Sequence, residues 1–338
     1  MTGPEAPRPE IDADPRHRPV LLGEVVAALA PERGGVFIDA TYGAGGYAAA
    51  LLAGGAGRVI GIDRDPDAVA EAAPAVAAAA GRLAVVRGRF GDLREIAAAN
   101  DALPADGVAF DFGVSSMQLD RAARGFSFRK DGPLDMRMEA EGPSAADFVN
   151  TAGERELRDV LRRLGEEPRA GRIARAIVAA RDESPLARTA DLVACVVAAV
   201  GQRPQDRIHP ATRTFQAIRM HVNDELGEIA RGLAAAEAVL RPGGRLAVVT
   251  FHSLEDRLAK RFLARRAGRE GRASRHDPAA LAGPGPAPSF RLLSNRPVSP
   301  SDTETAANPR ARSARLRAAE RLDAPAFDPS GDHGSLAA

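Results

Sequence analysis

Two hydrophobic rhythms divide the chain. Short apolar runs with β-branched members lie at residues 36–38, 58–63, 83–86 and 107–112, as expected of strands buried on both faces. Between them apolar residues recur three and four apart, the spacing of helices packed on a sheet. A helix ahead of the first strand runs to Leu29 and is stopped by Pro31, Gly34 and Gly35. From residue 144 to 200 the strand rhythm is lost. Helices are predicted at 144–149, 154–164, 170–182 and 189–200, with Ser144 or Thr189 suited to an N-cap. One further helix runs through Met220, Val222, Leu226 and Ile229 to a fifth strand at 246–251, and 308–321 forms a last strand or a docked tail. The pattern predicts an α/β sheet interrupted by an all-helical insertion. The sheet domain takes 17–140 and 208–322, the insertion 141–207, and loose tails 1–16 and 323–338.

The first strand runs into Gly43, Gly45 and Gly46, and a helix starts at once. Strand, glycine turn and helix form the opening of a nucleotide-binding unit. Glycine lets the backbone approach a ligand, and the helix start offers free N–H groups. Asp63 ends the second strand, 20 residues past Gly43, where an acid suits the two hydroxyls of a ribose. Phe90 follows the third strand and Asp111 ends the fourth, both at the edge where open parallel sheets bind ligands. By pattern alone, a nicotinamide dinucleotide and S-adenosylmethionine remain equally open.

Of the 338 residues 45% are hydrophobic, enough for a large core. No apolar run approaches the ~18–20 residues that span a bilayer. Cys195 is the only cysteine, so an internal disulfide is excluded. No Cys/His cluster has zinc spacing, and no metal is expected. A reducing cytoplasm fits. The formal net charge is only +1, but cations cluster. Arg257, Lys260, Arg261, Arg265, Arg266, Arg269, Arg272 and Arg275 form one group, and Arg310, Arg312, Arg315, Arg317 and Arg321 another. They predict a localised phosphate-binding face. Residues 118–138 form a long aperiodic loop, of a length that usually serves a function. Should the basic face hold a nucleic acid, Phe126 and Phe128 of this loop are candidates for stacking on a base, and His209 and His252 for contacting the strand.

Several further blocks occur in a fixed order: Pro19-Val20-Leu21-Leu22-Gly23-Glu24, Gly113-Val114-Ser115-Ser116, Arg124-Gly125-Phe126-Ser127-Phe128, His209 through Gln216, Phe251-His252-Ser253-Leu254-Glu255-Asp256-Arg257 and Asn308-Pro309-Arg310-Ala311-Arg312-Ser313. In these, and from about residue 17 to 321, the chain resembles the RsmH (MraW) family. That family transfers methyl from S-adenosylmethionine to N4 of a cytidine in the decoding region of bacterial 16S ribosomal RNA. The resemblance implies a Rossmann-like class I methyltransferase sheet with an inserted helical domain, and a substrate in the small ribosomal subunit. It leaves the oligomeric state open, a homodimer included. It places cofactor contacts at Gly45, Gly46, Tyr47, Asp63, Phe90, Asp111 and Gln118, with Asp111 also the candidate catalytic acceptor. Two positions depart from the family pattern: Tyr47 stands where His is frequent, and Met117 where Pro is common.

Overall fold

The computed structural model describes residues 19–202, 205, 208–269 and 286–328. The expected tail at 1–16, most of that at 323–338 and the cations Arg272 and Arg275 lie outside the described residues. Strands β1 (Val36–Asp39), β2 (Arg58–Asp63), β3 (Leu83–Arg87), β4 (Ala105–Asp111), β5 (Leu240–Thr250), β6 (Phe290–Leu292) and β7 (Arg315–Arg321) form one sheet, in the order β3-β2-β1-β4-β5-β7-β6. The first five run parallel, and β7 is antiparallel to both its neighbours. This is the Rossmann-like methyltransferase sheet. The 308–321 segment does return as a strand. Sequence pattern misses β6, whose three residues are too few to show a period.

Strand alternation sends alternate side chains to opposite faces. Phe37, Val59, Ala109 and Val249 meet α1 (Leu22–Leu29) and α2 (Gly46–Ala53) on one face. Helices α3 (Pro66–Glu71) and α4 (Ala73–Ala78) lie along β3. On the opposite face Ile38, Ile60, Phe110 and Val248 pack in a second core that draws on α5 (Leu93–Ala99). The short α6 (Ser116–Asp120) follows β4.

A third core lies among α7 (Ala145–Thr151), α8 (Glu154–Gly165), α9 (Ala170–Glu183), α10 (Thr189–Val200) and α11 (Ala211–Val222), all between β4 and β5. It takes in Phe126, Leu134, Met136 and Met138 from the long loop, as well as Phe215 and Ile218. The expected single helix from Met220 to Ile229 is two: α11 ends at Val222, Asp224 has φ 47°, and α12 (Glu225–Val239) restarts. Asn223, buried in the break, accepts from Met138 N–H at 2.8 Å and donates to Met136 O at 2.7 Å, tying the loop down. Ser144 caps α7 through a capping box with Asp147. Thr189 is no cap. It is the first residue of α10, and its hydroxyl accepts from Gly132 N–H and donates to Asp131 Oδ1.

Two more helices complete the chain, α13 (Ser253–Arg266) and α14 (Asp302–Ala307). Among the described residues no helix is long and apolar enough to cross a membrane.

Candidate active site

Asp39, Asp63 and Asp111 are the last residues of β1, β2 and β4. Because those strands are parallel neighbours, the three acids meet at one sheet edge. They adjoin a cavity of about 390 Å³, walled by the glycine turn, the loop after β4, the start of α13 and Arg310.

The turn is built by steric necessity. Gly43 and Gly45 hold φ of 53° and 78°, left-handed values that L side chains disfavour. A Cβ on Gly45 would come within 2.5 Å of the Tyr42 hydroxyl, and one on Gly46 within 2.1 Å of Pro19 Cγ. At Gly43 a Cβ would meet only Thr41 O, at 3.9 Å. The Gly43 backbone is thus bare toward the cavity, and its N–H donates to Asp63 Oδ2 at 2.7 Å. Asp65 N–H donates to Asp63 Oδ1 at 2.8 Å. Each Asp63 oxygen keeps a second lone pair for a ligand hydroxyl. Burial pushes the Asp63 carboxyl above its ordinary pKa, against these two hydrogen bonds.

Asp39 is wholly buried and accepts from Ala48 N–H at 3.1 Å. Burial raises its pKa to about 7, with the nearby Asp63 adding to the rise. Asp111 stands well above the ordinary carboxylate range, first by burial and then by the charges of Asp39 and Glu255. Three carboxyls sharing one dry edge cannot all ionise without a cation among them.

The far end of the cavity holds Arg219, His252 and Glu255. His252 caps α13, and Glu255, three residues on, returns the capping box. Glu255 Oε2 accepts from Phe251 N–H at 2.7 Å and from His252 N–H at 3.2 Å. Burial presses the Glu255 carboxyl upward, but His252, the Phe251 hydrogen bond and Arg219 hold it below its usual pKa. It stays charged at neutral pH. Among the described residues five buried side-chain polar atoms lack a hydrogen-bond partner. Three of them belong to residues lining this cavity; His252 Nε2 and Glu255 Oε1 face each other at 2.9 Å as an ion-pair contact, which leaves Asp111 Oδ1 without a polar partner. Such atoms cost stability unless something partners them.

Glu225, His252 and Glu255 also bring ligand atoms within 4.8 Å of one another, a spacing a metal could use. Arg219 already supplies positive charge there. It grips Glu225 through Nε–Oε1 at 2.7 Å and Nη2–Oε2 at 2.8 Å. We assign no metal to this cluster.

Of the seven expected cofactor residues, Gly46, Tyr47, Asp63, Phe90, Asp111 and Gln118 line the cavity. Gly45 does not; it makes the turn. Tyr47 is buried and its hydroxyl donates to Val20 O, so its side chain fastens the segment before α1. Phe90 rests on Phe110 and Phe112, with ring centroids 5.6 and 5.7 Å away. Gln118 spends both ends of its amide: Oε1 accepts from Ser115 N–H and Nε2 donates to Asp65 Oδ2. Phe126 is in the helical core, and Phe128 stacks on His209 at 4.7 Å and meets Phe215 edge-on at 5.2 Å. Neither phenylalanine, nor His209, lines the cavity. Sequence alone does not single out Asp39, Arg219 or Glu255. Asp39 shares the strand-end position that marks Asp63 and Asp111, a signal that was available. Arg219 and Glu255 show no local signal for the site, since they meet only in the fold.

A sequence profile of the MraW methylase family matches residues 14–322. The chain belongs to the MraW methylase family. It is therefore a methyltransferase, and the cavity at the sheet edge is where that family's chemistry is to be sought. Ribosomal RNA small subunit methyltransferase H of Methylorubrum populi is 58% identical over 316 residues, 93% of this chain and 89% of that protein. The protein of the same name from Nitrobacter winogradskyi is 58% identical over 313 residues, 93% of each. An rRNA methylase structure from Streptococcus thermophilus superposes with a TM-score of 0.40 at 10% identity, covering 89% of this chain and 94% of that one.

Proposed function

We propose that this enzyme transfers methyl from S-adenosylmethionine to N4 of a cytidine in the decoding region of bacterial 16S ribosomal RNA, acting on the small subunit in the cytoplasm. The carrying observation is the cavity lined by the glycine turn, Asp63 and Asp111, with Asp111 Oδ1 buried and unpartnered. The names of the relatives support the RNA substrate.

The residues present fit the cofactor. The bare Gly43 backbone and the start of α2 form a cradle, and Asp63 has lone pairs left for ribose hydroxyls. Phe90 offers a ring face for adenine. Burial and the charges of neighbouring carboxyls raise the pKa values of Asp39 and Asp111, and a cationic ligand at this edge would favour their ionised forms. Gln118 acts at one remove, by holding Asp65. S-adenosylmethionine supplies a methyl already made electrophilic by its sulfonium.

The remaining difficulty is the nucleophile. The N4 lone pair of cytosine is delocalised into the ring. An acceptor on an N4 hydrogen localises that pair and takes up the charge that develops on nitrogen. Asp111 Oδ1 is the proposed acceptor. Its raised pKa makes it, once ionised, a stronger base than an ordinary carboxylate. Glu255, held below its usual pKa and lining the same cavity, helps orient the amine through its pairing with His252. The base must leave its stack to reach this edge. The helical insertion at 141–207 is the proposed recognition domain, beside the sheet domain of 17–140 and 208–322.

The test is transfer of labelled methyl from S-adenosylmethionine to small subunits, followed by nucleoside mass analysis. N4-methylcytidine in the 16S RNA is expected. Label on another atom, or none with active cofactor-bound protein, overturns the proposal.

A further inference from the structure

A second groove, of about 750 Å³, adjoins the cavity, and Phe251 and His252 line both. Its cations come from separate parts of the chain. Arg257 and Lys260 lie on α13, Arg312 on the turn Pro309–Ser313, and Arg315 begins β7. They are not equivalent. Glu166, at the end of α8, takes Arg257 at 3.0 Å and Ser253 at 2.7 Å. The groove's one acid, Asp256, is held by two bonds from Arg317, at 2.8 and 3.0 Å. The side chains of Lys260, Arg312 and Arg315 are exposed and make no ion pair or hydrogen bond with any described residue.

Three uncompensated cations thus face a groove whose nearby acids are already neutralised. Such an arrangement concentrates positive potential and draws an anion to the groove. Two other basic residues expected to bind phosphate do different work. Arg266 is sealed inside against Glu237. Arg310 is tied to Asp120 and Ser116 at the cavity wall.

We propose that this groove is the track of the RNA backbone beside the target nucleotide, with Lys260, Arg312 and Arg315 as its phosphate contacts. The proposal rests on the functional reading above. A base placed in the cavity leaves its strand at Phe251 and His252, and the groove receives the flanking phosphates. Single-stranded RNA is the occupant that matches: a flexible polyanion whose backbone tracks a positively charged groove beside aromatic side chains such as Phe251.

The test compares wild type with the triple variant Lys260→Gln, Arg312→Gln, Arg315→Gln. Arg94→Gln, on an exposed position of α5 away from both cavities, serves as control. Binding of a single-stranded RNA oligonucleotide carrying the target sequence is measured against salt, and cofactor binding by calorimetry. Losing three phosphate contacts should make the log–log salt slope shallower by about 2, at roughly 0.7 per contact. Between 50 and 200 mM salt, wild type then loses about 16-fold more affinity than the variant. Cofactor affinity and the control's slope should not move, and KM for RNA should rise while kcat holds. An unchanged slope in the triple variant, with wild type still methylating RNA, overturns the groove alone. Wild type that neither binds nor methylates RNA overturns the functional reading, and the groove with it.

Discussion

Gly43 N–H donates to Asp63 Oδ2 at 2.7 Å, so the turn after β1 is buttoned to the acid that ends β2. Asp65 N–H occupies the other oxygen. An amide in place of the carboxylate can face only one of these donors with its oxygen, and its NH₂ opposes the other. Asp63→Asn should therefore weaken S-adenosylmethionine binding ten- to a hundredfold, or about 1.5–3 kcal/mol for a charge-assisted contact. Calorimetry reads this directly, and an affinity equal to wild type would remove Asp63 from the cofactor site.

Glu255→Gln keeps the shape of the α13 cap and one acceptor for the Phe251 N–H. It removes the negative charge at the far end of the cavity. Cofactor affinity should hold, while single-turnover methyl transfer should fall by about 10²–10³, the range for deleting one preorganised electrostatic group. A rate within threefold of wild type would show that Glu255 only caps the helix.

Asp39 links stability to pH. Its folded pKa is about 7, against about 3.9 when unfolded. A raised folded pKa means that the native state keeps its proton when the unfolded state has lost it. The contribution is thus complete below about pH 4, declines through the window to about 7, and is absent above it. Asp63 and Asp111 are shifted in the same direction. Asp39→Asn should lose less melting temperature than wild type between pH 5 and pH 8. Parallel melting curves for the two proteins would contradict the assignment.

Arg266 and Glu237 form an ion pair at 2.9 Å with almost no solvent contact, and Arg266 also lies over the Phe262 ring. Arg266→Ala leaves Glu237 charged and buried. The expected loss is about 3–5 kcal/mol of stability, seen in chemical denaturation. The salt dependence of RNA binding should not change, which separates this arginine from those of the groove.

The buried Tyr47 hydroxyl donates to Val20 O. Tyr47→Phe should cost about 1 kcal/mol of stability by leaving that carbonyl unpaired. S-adenosylmethionine affinity should stay within threefold. A larger loss of affinity would show that the hydroxyl takes part in binding.

The misplaced expectations share one cause. Phe126 and Phe128 sit in a polar, aperiodic loop, so exposure is the natural inference from sequence. In the fold Leu134, Met136 and Met138 of the same loop join them against α11, because Asn223 pins the loop there. Arg266 belongs to a run of cations, yet with Ala259, Phe262 and Leu263 it completes a buried stripe at helical spacing. That stripe can be read locally. Its partner Glu237, 29 residues upstream, cannot.

Local order in the chain determined the five parallel strands, the glycine turn, the strand-end acids Asp63 and Asp111, and the helical character of 144–200. Each depends on residues within one turn or one strand of each other, where backbone sterics and side-chain period act. Only the tertiary structure decided that Asp39 joins those acids, that Glu255 and Arg219 line the same cavity, and that Lys260, Arg312 and Arg315 are left uncompensated among the described residues of the groove. Charge and burial are set by what arrives from distant segments, and an electrostatic field sums over neighbours in space, whatever their separation along the chain.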